Sequence, residues 1–145
     1  MVLPRLYLGV IFSVAGWAKA SDPATFDARL GQMIEKMLPH AQPSYRAFAE
    51  SVVIPNHVIF ANLVIGGECC VAVAMLLGLT TRLAALVAVF LLGNYLLLKG
   101  LPFWSPASND VADIVLAVVV GLGAAGRSFG VDRALAARWT NVPLW

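Results

Sequence analysis

Lys19, Glu68, Asn94 and Asp113 are polar side chains set inside apolar stretches of this sequence. Glu68 is the sharpest case, in VIGGECCVAVAMLLGL beside two thiols. Moving an isolated charge out of water is prohibitively costly, so a carboxylate in such a run needs a partner or a proton. Lys19 is the natural counter-charge, for Glu68, Asp113 or both. Two acids then face one lysine, so one acid shares a proton or finds a further donor. Asn109 and Asp113 stand at i and i+4, on one helix face. His57, Tyr95, Lys99 and Trp104 could close an outer rim around the four.

Such a set can hold a proton or a small membrane-soluble molecule. A quinone headgroup is the candidate ligand, because it wants hydrogen-bond donors and a proton exchanger in an apolar slot. The same residues would serve equally well as polar contacts between helices with no ligand at all, and the sequence leaves both readings open. Cys69 and Cys70 are adjacent, so on a helix they point about 100° apart and read as packing residues rather than a redox pair. No metal-ligand spacing, phosphate-binding loop, Ser–His–Asp set or haem-type histidine pair is evident, so no cofactor is encoded outright.

The elements that must position these residues follow from composition. Hydrophobic residues make up 60% of the 145, charged residues 12%, and the mean hydropathy is +0.82. Soluble domains run roughly 45–50% apolar and about 25% charged. The expectation is one integral membrane domain over 1–145, all-α, built as a four-transmembrane-helix bundle. The ten Lys and Arg are scattered, which argues against nucleic acid as a partner. Apolar windows place the spans at about 3–20, 54–79, 83–98 and 111–126. The first run also has the outline of a secretory signal: Arg5, an apolar core, then Ala18-Lys19-Ala20.

Between the first two spans, Asp22-Pro23 reads as a helix cap followed by proline at the first helical position. Phe26, Leu30, Met33 and Met37 then recur at helical spacing, and Pro39 ends the run. This amphipathic helix would lie on the membrane surface, on its own bundle or on a partner. A second short helix is expected from Pro43 to Val53, leading into the second span. Four spans put both termini on one side, together with the Thr80–Arg82 turn. Lys and Arg are tied between the two sides. The arginines cluster at helix ends on the terminal side, which favours cytoplasmic termini in a bacterial-type inner membrane. Lys19, Glu68, Asn94 and Asp113 lie 12 to 14 residues from that side, counting from Arg5, Thr80, Arg82 and Gly126. At about 1.5 Å per residue they should share one layer, about 18–21 Å deep.

The residues also resemble a known family, the DoxX family of small four-helix membrane proteins. The resemblance rests on Arg5-Leu-Tyr-Leu-Gly9 with Phe12, Gly16 and Lys19, on Glu68, on Leu77-Gly78-Leu79-Thr80-Thr81-Arg82-Leu83-Ala84-Ala85, and on Gly126-Arg127-Ser128-Phe129-Gly130-Val131-Asp132. It implies that Lys19 and Glu68 occupy the family's polar positions. It also implies kinship with namesakes associated with a thiosulfate:quinone oxidoreductase, and with members that partner redox or thiol-homeostasis proteins. The chain departs from the pattern at Cys69-Cys70 and in its longer polar connection before the second span. Three functions remain in view. The chain is a membrane subunit of a redox, quinone-linked complex, a purely structural membrane subunit without a ligand, or a small transporter. Its expected partners are the lipid bilayer and other membrane or extracytoplasmic subunits. Any oxidoreductase activity would need a second polypeptide.

Overall fold

Turn-forming residues cut this apolar chain into helices. The computed structural model describes residues 1–102, 105 and 108–139, and among these the fold is all-α. Helix α1 spans Val2–Ala20, α2 Pro23–Met37 and α3 Pro43–Phe48. A π-turn at Ala49–Val53 and a 3-10 turn at Ile54–Asn56 lead into α4, His57–Leu77. Then come α5, Thr81–Lys99, α6, Asp110–Leu122, a 3-10 turn at Ala125–Arg127, and α7, Val131–Arg138.

The expected cap of α2 is present: the Asp22 carboxylate accepts from the Thr25 N–H at 3.2 Å, with Pro23 at the helix start. The Thr25 hydroxyl, and after it this N–H, hold the Asp22 carboxyl below the usual carboxylate range. The second short helix does not stand apart. It runs through the π-turn into α4, making one helical stretch from Pro43 to Leu77. Pro55 has no N–H to give and crowds the preceding turn, and the wider turn just before it accommodates this. The Ile54 N–H accordingly reaches back to the Ala49 carbonyl.

Two stretches, Pro43–Leu77 and Thr81–Lys99, are long and apolar enough to cross a membrane. Helix α1 is 19 residues long but carries Arg5 and Lys19 within them. Helix α6 has 13 residues, short of the roughly 20 that span a bilayer, and it stops before the expected end at 126. Gly123 and the left-handed Ala124 (φ 45°) break it there.

The main core is formed by α1, α4, α5 and α6, with Leu8, Phe12, Val71, Met75, Ala88 and Val120 among its buried members. Helix α1, whose sequence also fits a secretory signal, is a full part of it. Its seam with α4 is glycine-lined. A Cβ on Gly9 would come within 2.8 Å of the Leu76 side chain, and one on Gly16 within 3.1 Å of Cys69 Sγ. Cys69 therefore faces α1 while Cys70 points outward, and both thiols are free.

A second apolar cluster joins Leu30 and Ile34 of α2 to Ala61 of α4 and Leu98 of α5. Helix α2 thus packs on its own bundle. The buried stripe is centred on Leu30 and Ile34, whereas Met33, expected on that face, is 38% exposed. Arg46 holds the far end of α2, donating to the carbonyls of Leu38 (2.9 Å) and Pro39 (2.7 Å). Glycine at position 100 lets the His40 carbonyl approach the end of α5, since a Cβ there would overlap it.

At the other end, Asp132 substitutes for a missing local cap. Thr80 has no capping side-chain bond. Instead Asp132, 1% exposed, accepts from the N–H groups of Thr80 (2.6 Å) and Thr81 (2.9 Å), while its own N–H bonds to the Gly78 carbonyl at 2.8 Å. A carboxylate at a helix N-terminus meets both orphan donors and the positive end of the dipole. Arg5, 2% exposed, donates to the Phe129 carbonyl at 3.1 Å. A Cβ on Gly126 would lie 2.0 Å from Asp132 Oδ2. The start of α1, the α4–α5 turn and the segment before α7 are therefore locked together.

The close α1–α4 seam makes two opposite outcomes measurable in thermal unfolding of the detergent-solubilised protein. Gly16→Leu should destabilise by about 1–3 kcal/mol through overpacking. Gly66→Leu, where a Cβ meets nothing within 4 Å, should stay within about 0.5 kcal/mol.

Candidate functional site

Glu68 sits just past the middle of α4, turned inward and 1% exposed. Lys19, in the last turn of α1, reaches it with Nζ 2.8 Å from Oε1 and 2.6 Å from Oε2. Position helps the lysine, because a cation in the last turn faces the negative end of the α1 dipole. Tyr95 of α5 donates its hydroxyl to Glu68 Oε1 at 2.7 Å. One carboxylate thus ties three helices. The first turn of α2 covers the cluster: Phe26 lies 5.7 Å from Lys19 Nζ, ring face to ammonium. Lys19 also approaches the Ala15 carbonyl at 3.4 Å.

The remaining expected site residues are distributed elsewhere. Asn94 turns back on its own helix, donating to the Phe90 carbonyl at 2.7 Å, and does not join the carboxylate. Asp113 is buried on α6, but the side chain that meets it is Tyr7 of α1, and its salt-bridge geometry with Lys19 is not formed. The expectation of a single layer is therefore corrected: Tyr7 precedes Lys19 by twelve residues on α1, about 18 Å along the axis. Counting residues from helix ends ignores how neighbouring helices slide. Here the end of α6 packs by Met1, as the approach of the Met1 side chain to Gly123 shows, so Asp113 lies beside the first half of α1.

Of the expected rim, His57 Nδ1 meets Asp27 Oδ1 at 2.7 Å, joining α4 to α2. Lys99 donates to Asp110 at 2.5 Å, tying the end of α5 to the start of α6. Asn109 is exposed and caps α6 only through its carbonyl, which accepts from the Asp113 N–H at 3.0 Å. Trp104 lies outside the described residues. Tyr95, expected at the rim, is in the centre. The signal was its neighbour: adjacent helical residues diverge by about 100°, so Asn94 and Tyr95 could not both face Glu68. Phe26 belonged to a recognised apolar face, but its place over Lys19 depends on the turn at Ser21. The sequence shows Arg5 as a charge at the head of the first span and Asp132 as part of a motif, but not the contacts that bury them.

Chemically, the cluster is a saturated ion pair with a phenol attached. Both Glu68 oxygens are bonded, and the pair is neutral overall, which is how two charges can persist at low dielectric. A groove of about 460 Å³ runs elsewhere, between α5 and α6. It is lined by Arg82, Val89, Ala117 and Gly121 among others, and by none of Lys19, Glu68 or Tyr95.

Because breaking one side of a buried pair leaves the other charge stranded, Lys19→Met should cost about 3–5 kcal/mol of stability. Adding Glu68→Leu to that variant should recover most of the loss. Additive losses in the double variant would show that the two side chains do not act as a pair.

No curated protein and no solved structure matches the chain at a similarity that indicates kinship. The sequence model of one family, DoxX, matches residues 1–100. The match runs from the start of α1 through the glycine that ends α5, and so includes Lys19, Glu68 and Tyr95 but neither α6 nor Asp132. The family model, which covers more than half of the chain, and the two long apolar helices agree: this chain is a membrane protein belonging to the DoxX family.

Proposed function

We propose that the chain is a multi-pass membrane subunit that acts through a partner protein, with Lys19, Glu68 and Tyr95 as the tie that holds its bundle together. In this reading α1, α4, α5 and α6 all lie within a bacterial-type inner membrane, with cytoplasmic termini. The short α6 is accommodated by local thinning or by flanking residues reaching to the interface. The observation that carries the reading is the saturation of Glu68: both oxygens are used by side chains from two other helices. Interhelical polar bonds of this kind hold membrane bundles together. The connection from α2 through the π-turn, which exposes Met33, Phe48 and Val52, is where a partner would dock.

A quinone-linked redox role is the second reading, and one observation favours it. The Lys19 side chain remains 22% exposed, so an ammonium donor sits at the edge of a Tyr95–Glu68 hydrogen bond. A quinone carbonyl could accept from Lys19, with Glu68 and Tyr95 able to hold or pass a proton. The family's association with quinone chemistry and redox partners points the same way.

One preparation separates the two. The protein is purified from native membranes in mild detergent, and quinone per chain and co-purifying proteins are measured for wild type, Glu68→Gln and Tyr95→Phe. The tie reading expects little quinone, and a fall in melting temperature and in partner retention together in both variants. Near-stoichiometric quinone in the wild type, lost in Glu68→Gln without loss of folding, would overturn it in favour of the redox role.

A further inference from the structure

The two ends of the bundle differ in charge. The end where Arg5, the Thr80–Thr81 turn and Asp132 meet also carries Arg82, Arg127, Arg133 and Arg138, with Asp132 as its one acidic side chain. Asp132 is buried and spent on backbone N–H groups. The opposite end balances Arg29, Lys36, Arg46 and Lys99 against Asp22, Asp27, Glu35, Glu50 and Asp110. The basic end is also fringed with exposed apolar groups, Phe129 at 83% and Trp139 at 48%. Aromatic and arginine side chains together mark a headgroup layer, and a surplus of arginines favours an anionic one.

The α5–α6 groove opens at this end. Arg82, in the first turn of α5, lines it beside apolar walls from Ala85, Val89, Ala117, Val118 and Gly121. From Arg82 to Val89 the groove follows α5 for about 10 Å. Its floor is low because its residues are small: Ala117 is fully buried, and a Cβ on Gly121 would already come within 2.9 Å of the Ala85 Cβ. Its volume, about 460 Å³, falls in the range of roughly 300–1,000 Å³ that suits a small amphiphile. The fit is to a molecule with an anionic head and an apolar tail. A soluble anion would leave the groove unfilled. A second copy of the chain docking symmetrically would bring like arginines together.

We propose that the α5–α6 groove is an anionic phospholipid site, with an acyl chain lying along Ala85, Val89, Ala117 and Gly121 and the phosphate held by Arg82. Arg82 makes a further interaction within the protein. A guanidinium offers five N–H donors in a planar fork, enough to take phosphate oxygens as well.

The test is native mass spectrometry of the full chain in mild detergent, given an equimolar mixture of phosphatidylglycerol and phosphatidylcholine of equal chain length. Wild type should retain phosphatidylglycerol by about fivefold over phosphatidylcholine, the preference expected from one arginine near an anionic headgroup. Arg82→Gln should bring the ratio to about one, and Arg82→Lys should keep a preference, since charge remains. Val118→Trp, at a 42% exposed position, should fill the groove and reduce adducts of both lipids at unchanged helix content. Equal retention of the two lipids by wild type would overturn the proposal. So would a preference that survives Arg82→Gln, adducts undiminished in Val118→Trp, or dimers in place of lipid adducts. Should Arg82→Gln fail to fold, Arg82→Lys and Val118→Trp still decide.

Discussion

Everything at the centre of this molecule turns on keeping one carboxylate charged where there is almost no water. Glu68 is 1% exposed, and an ionised carboxyl at low dielectric survives only with an opposite charge and with its lone pairs occupied. Lys19 supplies the charge and Tyr95 a further donor. Those partners come from different helices, so meeting the requirement fixes how α1, α4 and α5 are rotated against each other. A rotation of α4 by a single residue, about 100°, would break the tie and turn Glu68 away from Lys19 and Tyr95. Apolar packing alone is tolerant of such slips, because a lipid tail is as good a neighbour for leucine as another leucine. The pair thus specifies one rotation among several that apolar packing would accept.

The glycines make the pair reachable. Lys19 can lie across Glu68 only if α1 and α4 approach closely, and Gly16 sits against the Cys69 backbone N and the Glu68 Cβ. Gly9 does the same one step down, against Leu76. The same economy of space recurs at the far end, where Gly78, Gly126 and Gly130 let Arg5 and Asp132 pack around the α4–α5 turn. That turn contains Thr80 in a left-handed conformation, strained for a β-branched residue. It persists because Asp132 accepts from the Thr80 N–H and from that of Thr81. The bundle is thus fastened twice, by an ion pair at one end and by a carboxylate-capped turn at the other. Each fastening draws on residues far apart in the chain.

The polar connection after α1 has a clear place in this scheme. Its helix α2 lays Leu30 and Ile34 on α4 and α5, and its neighbouring residues Phe26 and Asp27 reach Lys19 and His57. It therefore covers part of the ion pair, with Lys19 left 22% exposed, and the reduced contact with water strengthens the electrostatic attraction beneath. Its outward side carries Met33 and mixed charges.

The sequence by itself determined the class and the helices. Sixty per cent apolar composition, the cap at Asp22-Pro23 and the breaks at Gly78 and Gly100 are local properties, set by burial and backbone sterics within a few residues. It also determined that Glu68 needed a cation, since the cost of an isolated buried charge does not depend on the fold, and Lys19 was the cation at hand. What only the tertiary structure decided is which polar groups meet. Asn94, Asp113 and Tyr95 lie at similar distances from their helix ends, yet Tyr95 alone joins the pair. Helix rotation and axial offset select among them, and these are set by side-chain interlocking between segments, as Gly16 against Cys69 and Met1 against Gly123 illustrate. Asp132 shows the same limit. In the sequence it is one acid after a glycine-rich turn, and its role as the cap of α5 exists only because residues 80 and 132 are brought together in space.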